Sequence, residues 1–162
     1  MTTRVLICDD SSLARKQMAR ALPKNWNAEV TFAFDGRNAL EKLRAGAGEL
    51  LFLDLNMPEM DGYDATQHIR SGHDGILNTD IPIIAMTANA MKGDREKCLE
   101  AGMNDYLAKP VSHEDVESAL KKWHLFNGEE IGLEGKLNVR REDRDYLLRI
   151  KKGEFQYDEL VE

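Results

Sequence analysis

The chain has few of the features that mark secreted, membrane-spanning or nucleic-acid-binding proteins. Only two of its 162 residues are cysteine, Cys8 and Cys98, and they form no CxxC pair, so neither a disulfide framework nor a cysteine metal motif is expected. No apolar run approaches the roughly 18 residues of a membrane span. Acidic residues outnumber basic ones, and the net charge of −7 argues against general nucleic-acid binding, which depends on a basic surface.

The composition that is present is typical of a soluble globular protein. Hydrophobic residues make up 42% of the chain and charged residues 31%, which allows a real core and a polar surface. The length predicts one domain with an appendage. The first residues enter an apolar strand directly and lack the layout of a signal peptide. We therefore expect a cytoplasmic protein with reduced thiols and no membrane contact.

An apolar run that ends in an acid stands in the middle of the chain. Residues 50–53 are all apolar, which is typical of a strand buried on both faces of a parallel sheet, and Asp54 follows directly. A Met-Pro pair then predicts an extended turn, and an Asp-Gly pair predicts the cap of a helix. A buried acid is unfavourable unless cations or donors surround it. Other parts of the chain should therefore supply such groups.

Five apolar strands alternate with amphipathic helices between residues 4 and 123. The predicted strands cover residues 4–8, 29–34, 50–53, 81–86 and 105–108, and the last three helices are predicted over 62–70, 91–101 and 112–123. This alternation predicts an α/β fold, namely a doubly wound five-stranded parallel sheet with helices on both faces.

Polar residues follow four of the five predicted strands. They are Asp9, Asp10, Asp54, Thr87 and Lys109. In such sheets ligands bind outside the carboxyl ends of the strands, so these side chains should meet. Three carboxylates at one edge need a divalent cation or protonation to coexist, and Mg²⁺ suits carboxylates and water. With a hydroxyl and an ammonium nearby, the set could hold a phosphoryl group on or near Asp54.

Residues 4 to about 124 resemble the receiver domain of two-component response regulators, of the chemotaxis or phosphorelay type. The matching motifs are Asp9-Asp10, the block Leu-Phe-Leu-Asp-Leu-Asn-Met-Pro-Glu-Met-Asp-Gly around Asp54, Thr87-Ala88, Tyr106 and Lys109-Pro110. The resemblance implies a flavodoxin-like receiver fold over residues 1–126, with no output enzyme or DNA-binding domain.

The resemblance also implies a phosphoacceptor site. Asp54 would take a phosphoryl group from a histidine kinase or a His-containing phosphotransfer protein. Mg²⁺ would be held by Asp10, Asp54 and the backbone carbonyl of Asn56, with Asp9 acting largely through water. The chain would not be an enzyme beyond self-phosphorylation from small phosphodonors and self-dephosphorylation.

A switch is implied as well. Thr87 and Lys109 would contact the phosphoryl oxygens, and the bond between Lys109 and Pro110 would be cis, as suits a proline. Phosphorylation would draw Thr87 inward and let Tyr106 turn, which would reshape the surface of the fourth helix, fifth strand and fifth helix for an effector protein that the sequence does not identify.

Three other functions stay open. A Mg²⁺-dependent phosphatase with an aspartyl nucleophile usually has a second acid two residues after the nucleophile, where this chain has Asn56. A flavodoxin-like nucleotide binder would want a Gly- or hydroxyl-rich cradle where Asp9-Asp10 stand. An engineered or composite receiver without a native output is the third, because the segments on either side of residues 71–80 resemble different receiver styles and suggest a chimera.

Residues 127–162 form an extension that a receiver domain does not need. They carry ten acidic and seven basic residues, which is not a DNA-binding profile, and a helix is predicted over about 141–152. A segment of this length is too short for an independent core. We expect it to dock on residues 1–126, to pair two chains into a homodimer, or to remain partly mobile.

Overall fold

The computed structural model describes residues 2–72, 75–88 and 93–126. Five strands alternate with five helices there: β1 Thr3–Cys8, α1 Ser12–Ala21, β2 Ala28–Ala33, α2 Gly36–Arg44, β3 Leu50–Asp54, α3 Gly62–Ser71, β4 Ile83–Thr87, α4 Asp94–Ala101, β5 Asp105–Ala108 and α5 His113–Lys122. In these ranges no helix has the length and apolarity to cross a membrane. The predicted extension and its helix lie outside the described residues.

The strands form one sheet in the order β2-β1-β3-β4-β5. Parallel pairing joins β1 to β3, β3 to β4 and β4 to β5, which confirms the predicted parallel sheet. The strand order changes direction between β1 and β3, where ligand sites of such sheets lie. Because β3 is the central strand, all five of its residues are buried.

The strand and helix bounds agree with the sequence prediction to within a few residues. β4 begins at Ile83 rather than at residue 81, because Pro82 has no N–H to donate to a neighbouring strand. Its carbonyl still accepts a hydrogen bond from the N–H of Leu51 at 3.0 Å. α4 begins at Asp94, directly after Gly93 in the left-handed region with φ 96°, and residues 91–92 of the predicted helix lie outside the described residues.

Short polar side chains begin three of the helices. Ser11 Oγ accepts a hydrogen bond from the N–H of Ala14 at 3.1 Å, and the carboxylates of Asp35 and Asp61 accept from the backbone three residues further on. Each bond satisfies a donor that the first turn of a helix leaves unpaired. These caps fix the residues at which the loops at the carboxyl edge of the sheet end and the helices begin.

Contacts divide the chain into two compact units, and the larger comprises Arg4–Ala21 and Val30–Ser112. Its apolar cluster contains alternate residues of β1, β3 and β4 and buried residues of α2, α3 and α4, among them Leu53, Ile69 and Cys98. The side chains on the alternate positions, such as Phe52 and Ile84, are also fully buried. Both faces of the central strands are therefore covered, as the unbroken apolar runs predict.

The smaller unit contains Leu22–Glu29 and, among the described residues, 2–3 and 113–126. α5 buries Val116, Ala119 and Leu120. The rings of Trp26 and Phe126 pack edge to face, with their centroids 6.1 Å apart. All the candidate site residues belong to the larger unit.

Candidate functional site

The predicted strand-end residues lie at the carboxyl edge of the sheet. Asp54 and Thr87 are the last residues of β3 and β4, while Asp9 and Lys109 directly follow β1 and β5. The register pairs Cys8 with Leu53, Asp54 with Met86 and Thr87 with Ala108, so the four strands end at nearly the same level.

Asp54 is a buried carboxylate, with only 3% of its surface exposed. Burial raises the pKa of Asp54 above the ordinary aspartate value, and the negative charge of Asp9 raises it further. Hydrogen bonds from Lys109 and from the backbone N–H of Asn56 act in the opposite direction but do not cancel the rise. The positive charge around Asp54 is therefore too small to offset the cost of ionising this carboxyl group in a buried position.

Asp9 is fully buried, and donors occupy both of its carboxylate oxygens. The N–H of Ser11 donates to Oδ1 at 2.9 Å, and the ammonium of Lys109 lies 2.7 Å from Oδ2. Each of these oxygens keeps a second lone pair that a cation or a water molecule could use.

Lys109 connects the two buried acids. Its Nζ also lies 3.1 Å from Oδ1 of Asp54, and its backbone N–H donates to the carbonyl of Thr87 at 2.7 Å. Burial disfavours the charged form of Lys109, but its hydrogen bonds to the two carboxylates outweigh that effect and raise its pKa. The ammonium is therefore charged at neutral pH. The peptide bond to Pro110 is cis.

The three acids form a cluster suited to a cation. Asp9, Asp10 and Asp54 each offer a carboxylate oxygen, and these oxygens lie within 4.8 Å of one another. Asp10 is exposed while the other two are buried, so a cation could reach the cluster from solvent. A hard ion such as Mg²⁺ fits a set of carboxylate oxygens with open positions for water.

Three further residues were predicted for the site: Thr87, Asn56 and Tyr106. Thr87 is buried at the end of β4, and Asn56 is exposed in the loop after β3. Tyr106 of β5 is half-buried and packs against the apolar cluster of the larger unit. The structure thus brings Asp9, Asp10, Asp54 and Lys109 together directly.

The loop after Asp54 requires a glycine at its end. A Cβ added to Gly62 would lie 2.6 Å from the carbonyl oxygen of Asp54, and the N–H of Gly62 donates to the carbonyl of Leu55 at 3.0 Å. The start of α3 is therefore packed directly on the backbone that carries Asp54. Earlier in the loop, Glu59 has a positive φ of 66°, which non-glycine residues rarely adopt.

Sequence reasoning missed one charged residue at this edge. Arg15 of α1 donates from Nη1 to the backbone carbonyl oxygen of Asp9 at 2.7 Å, and its Cζ lies 6.0 Å from the centroid of the Phe32 ring. The available signal was a basic residue in the first turn of a helix, where positive charge is unfavourable without a specific partner.

Comparison with known proteins yields one family. The family model described as the response regulator receiver domain matches residues 5–121. A hybrid signal transduction histidine kinase of Dictyostelium discoideum, kinase L, is 32% identical over 123 residues, or 74% of this chain. The sensor protein GacS of Pseudomonas syringae pv. syringae is 33% identical over 118 residues, or 73% of this chain. The chain spans only 7% and 13% of the length of these two relatives.

A solved structure adds a magnesium ion to the comparison. The receiver domain of the sensor histidine kinase PA1611 from Pseudomonas aeruginosa PAO1 is 34% identical, with a TM-score of 0.61. The match covers 76% of this chain and 98% of that domain, whose structure contains a magnesium ion coordinated in the active site cleft. The predicted fold class, a flavodoxin-like sheet with five helices, is confirmed by this similarity.

Proposed function

Because the chain belongs to the response regulator receiver domain family of two-component systems, we propose that Asp54 is its phosphoacceptor and that Asp9, Asp10 and Asp54 form its Mg²⁺ site. The family acts in two-component signalling and phosphorelays by accepting phosphoryl groups, and its members are not enzymes in the ordinary sense. The roles of individual residues are our proposal.

The observation that carries the proposal is the environment of Asp54. It is a buried carboxylate with a raised pKa, an ammonium at 3.1 Å and two further acids within 4.8 Å. A carboxylate used only for structure gains nothing from two neighbouring acids, because like charges destabilise one another. A phosphorylation site that uses a divalent cation needs this combination of acids and a positive side chain.

The chemistry we propose is a transfer between a histidine and Asp54. An oxygen of Asp54 forms a bond to phosphorus, the bond from phosphorus to the donor's imidazole nitrogen breaks, and its electron pair returns to that nitrogen. Lys109 would stabilise negative charge on the phosphoryl oxygens, and Thr87 would donate its hydroxyl to one of them. When bound, Mg²⁺ would neutralise part of the same charge.

The metal ligands we propose are side chains and one backbone group. Asp10 and Asp54 would bind the ion directly together with the carbonyl of Asn56, and Asp9 would act through water, with its carboxylate held in place by Ser11 and Lys109. Such a site keeps positions for water and for a phosphoryl oxygen, as Mg²⁺ sites usually do.

The partners we propose follow from the same function. A histidine kinase or a His-containing phosphotransfer protein would supply the phosphoryl group, in the cytoplasm. A change at Thr87 and Tyr106 would then alter the surface of α4 and β5 for an effector protein. Docking or dimerisation through residues 127–162 stays a prediction.

The proposal is tested by labelling. We expect wild-type protein with Mg²⁺ and acetyl phosphate to gain the mass of one phosphoryl group and Asp54→Asn to gain none. Asp64→Asn, which alters an exposed acid of α3, is the matched control and should be labelled like the wild type. Equal labelling of Asp54→Asn would rule out this acceptor.

A further inference from the structure

Arg15 occupies a position where a positive side chain is unfavourable by itself. It is the fourth residue of α1, and its N–H makes one of the first helical hydrogen bonds, to the carbonyl of Ser11 at 3.0 Å. Cations in the first turn oppose the helix dipole. The half-buried guanidinium therefore needs specific partners to offset this cost.

The structure supplies two partners for the guanidinium. Nη1 donates to the backbone carbonyl oxygen of Asp9 at 2.7 Å, and Cζ lies 6.0 Å from the centroid of the Phe32 ring, within the range of a cation–π contact. A hydrogen bond from a charged donor is stronger than one between neutral groups. The guanidinium is thus held between β2 and the end of β1.

The carbonyl that accepts this bond belongs to the peptide group between Asp9 and Asp10. Fixing the oxygen fixes the plane of that peptide and therefore the direction in which the chain continues to Asp10. The carboxylate of Asp9 has its own partners in Ser11 and Lys109. The position of the exposed Asp10 carboxylate depends more on its own backbone than the position of the Asp9 carboxylate does.

We propose that Arg15 is a positioning residue for the cation site, which it serves by fixing the Asp9–Asp10 peptide. The inference rests on the proposed function, because the cation site is the one assigned there. A carboxylate that is held in place before binding pays less ordering cost when the cation binds. Arg15 contributes this order from outside the ligand set, as supporting residues of metal sites commonly do.

A purely electrostatic role for Arg15 would have the opposite sign. A positive charge beside three acids repels a divalent cation, so the loss of that charge alone should tighten binding. A positioning role requires that the loss of Arg15 weakens binding although it makes the site more negative. The two roles are therefore separated by the direction of the change.

The test is a direct titration of the full chain with Mg²⁺ by calorimetry and with Mn²⁺ by electron paramagnetic resonance. We expect Arg15→Met to raise the dissociation constants about fivefold, the effect of losing roughly one hydrogen bond. Arg15→Lys should lose less, because an ammonium can still donate to the carbonyl of Asp9. Lys16→Met, which removes an exposed charge from the same helix, should bind as the wild type or slightly more tightly.

Unchanged or tighter binding by Arg15→Met would overturn the positioning role, provided that circular dichroism finds the variant folded. If Arg15→Met does not fold, Arg15→Ala, which also removes the donor and suits a helix, takes its place in the same comparison with Lys16→Met. Labelling of the wild type by acetyl phosphate is measured alongside. Normal labelling with unchanged affinity in the variant overturns only the role of Arg15. An Arg15-dependent affinity without labelling at Asp54 overturns only the proposed phosphoacceptor.

Discussion

The ammonium of Lys109 lies 2.7 Å from the carboxylate of Asp9, although the two residues are 100 positions apart in sequence. The same ammonium lies 3.1 Å from Asp54, so two buried acids share one cation. With Asp10 in the same cluster, three carboxylates lie at this edge, against the ammonium of Lys109 and the guanidinium of Arg15. The excess of negative charge at this edge underlies the following predictions.

Replacing Lys109 with Met should destabilise the protein by about 2–3 kcal/mol, because it leaves two buried carboxylates without their shared cation. Added Mg²⁺ should recover part of this loss, because a ligand of the folded state stabilises it. Chemical unfolding with EDTA and with Mg²⁺ measures both effects.

The matched control is Lys121→Met. Lys121 pairs with Glu117 at 3.0 Å on the exposed side of α5, and such surface pairs contribute no more than about 1 kcal/mol. A Lys109→Met variant as stable as this control would contradict the importance of the buried pairing.

Replacing Asp54 with Asn should stabilise the folded protein by about 1 kcal/mol at neutral pH, since it removes a buried charge next to Asp9. Folding raises the pKa of Asp54, so the ionised form is the one that destabilises the fold. As pH falls through the pKa of Asp54 in the folded protein, protonation removes the buried charge from the wild type. The difference in unfolding free energy between Asp54→Asn and the wild type should therefore shrink.

Unfolding free energies measured across a pH series test this prediction. Glu100→Gln alters an exposed acid of α4 and should produce no comparable gain at any pH. An Asp54→Asn advantage that grows on acidification would contradict the assigned direction of the pKa shift.

Gly62→Ala should cost roughly 2–4 kcal/mol, because the new Cβ would lie 2.6 Å from the carbonyl oxygen of Asp54. Gly93→Ala is the useful comparison: its φ of 96° is strained for alanine, but a Cβ there meets no atom within 4 Å. Only backbone strain of about 1–2 kcal/mol is expected at Gly93. Thermal unfolding of both variants measures the difference, and equal losses would mean that the close contact is relieved at little cost.

Glu59→Gly should stabilise the protein by about 0.5–1 kcal/mol, since Glu59 is exposed and has a φ of 66° that glycine adopts without strain. Glu59→Ala removes the same side chain but keeps the strain, so it should change stability little. The unfolding midpoints of the two variants, compared with that of the wild type, test this prediction. A gain in the alanine variant as large as in glycine would point to the side chain rather than to the backbone.

Much of the fold was predictable because its signals are local. β3 and β5 follow from short apolar runs, and the caps at Asp35 and Asp61 follow from residue type. The exposed fraction of Leu13 in α1, 61%, does not follow from residue type, because an apolar residue is ordinarily expected on the buried face of a helix. A residue in the first turn can extend beyond the sheet that the rest of the helix covers, and helical spacing alone does not reveal this.

The site was predictable as a set of residues but not as a geometry. The topology rule brought Asp9, Asp54 and Lys109 to one edge, since all of them follow strands. That Lys109 lies closer to Asp9 than to Asp54 depends on side-chain packing, which no spacing encodes. Arg15 was missed because its position in the first turn of α1 was the one available signal, and its partner is a backbone carbonyl, which no side-chain motif identifies.

The most direct test of the central claim is to locate the phosphoryl group within the chain. After labelling with acetyl phosphate and Mg²⁺, borohydride reduction converts a phosphorylated aspartate to homoserine, and tandem mass spectrometry of the tryptic peptide 45–70 then identifies the position. This peptide contains Asp54, Asp61 and Asp64. We predict homoserine at position 54 and unmodified aspartate at the other two. Homoserine at position 61 or 64, with Asp54 intact, would contradict the assignment.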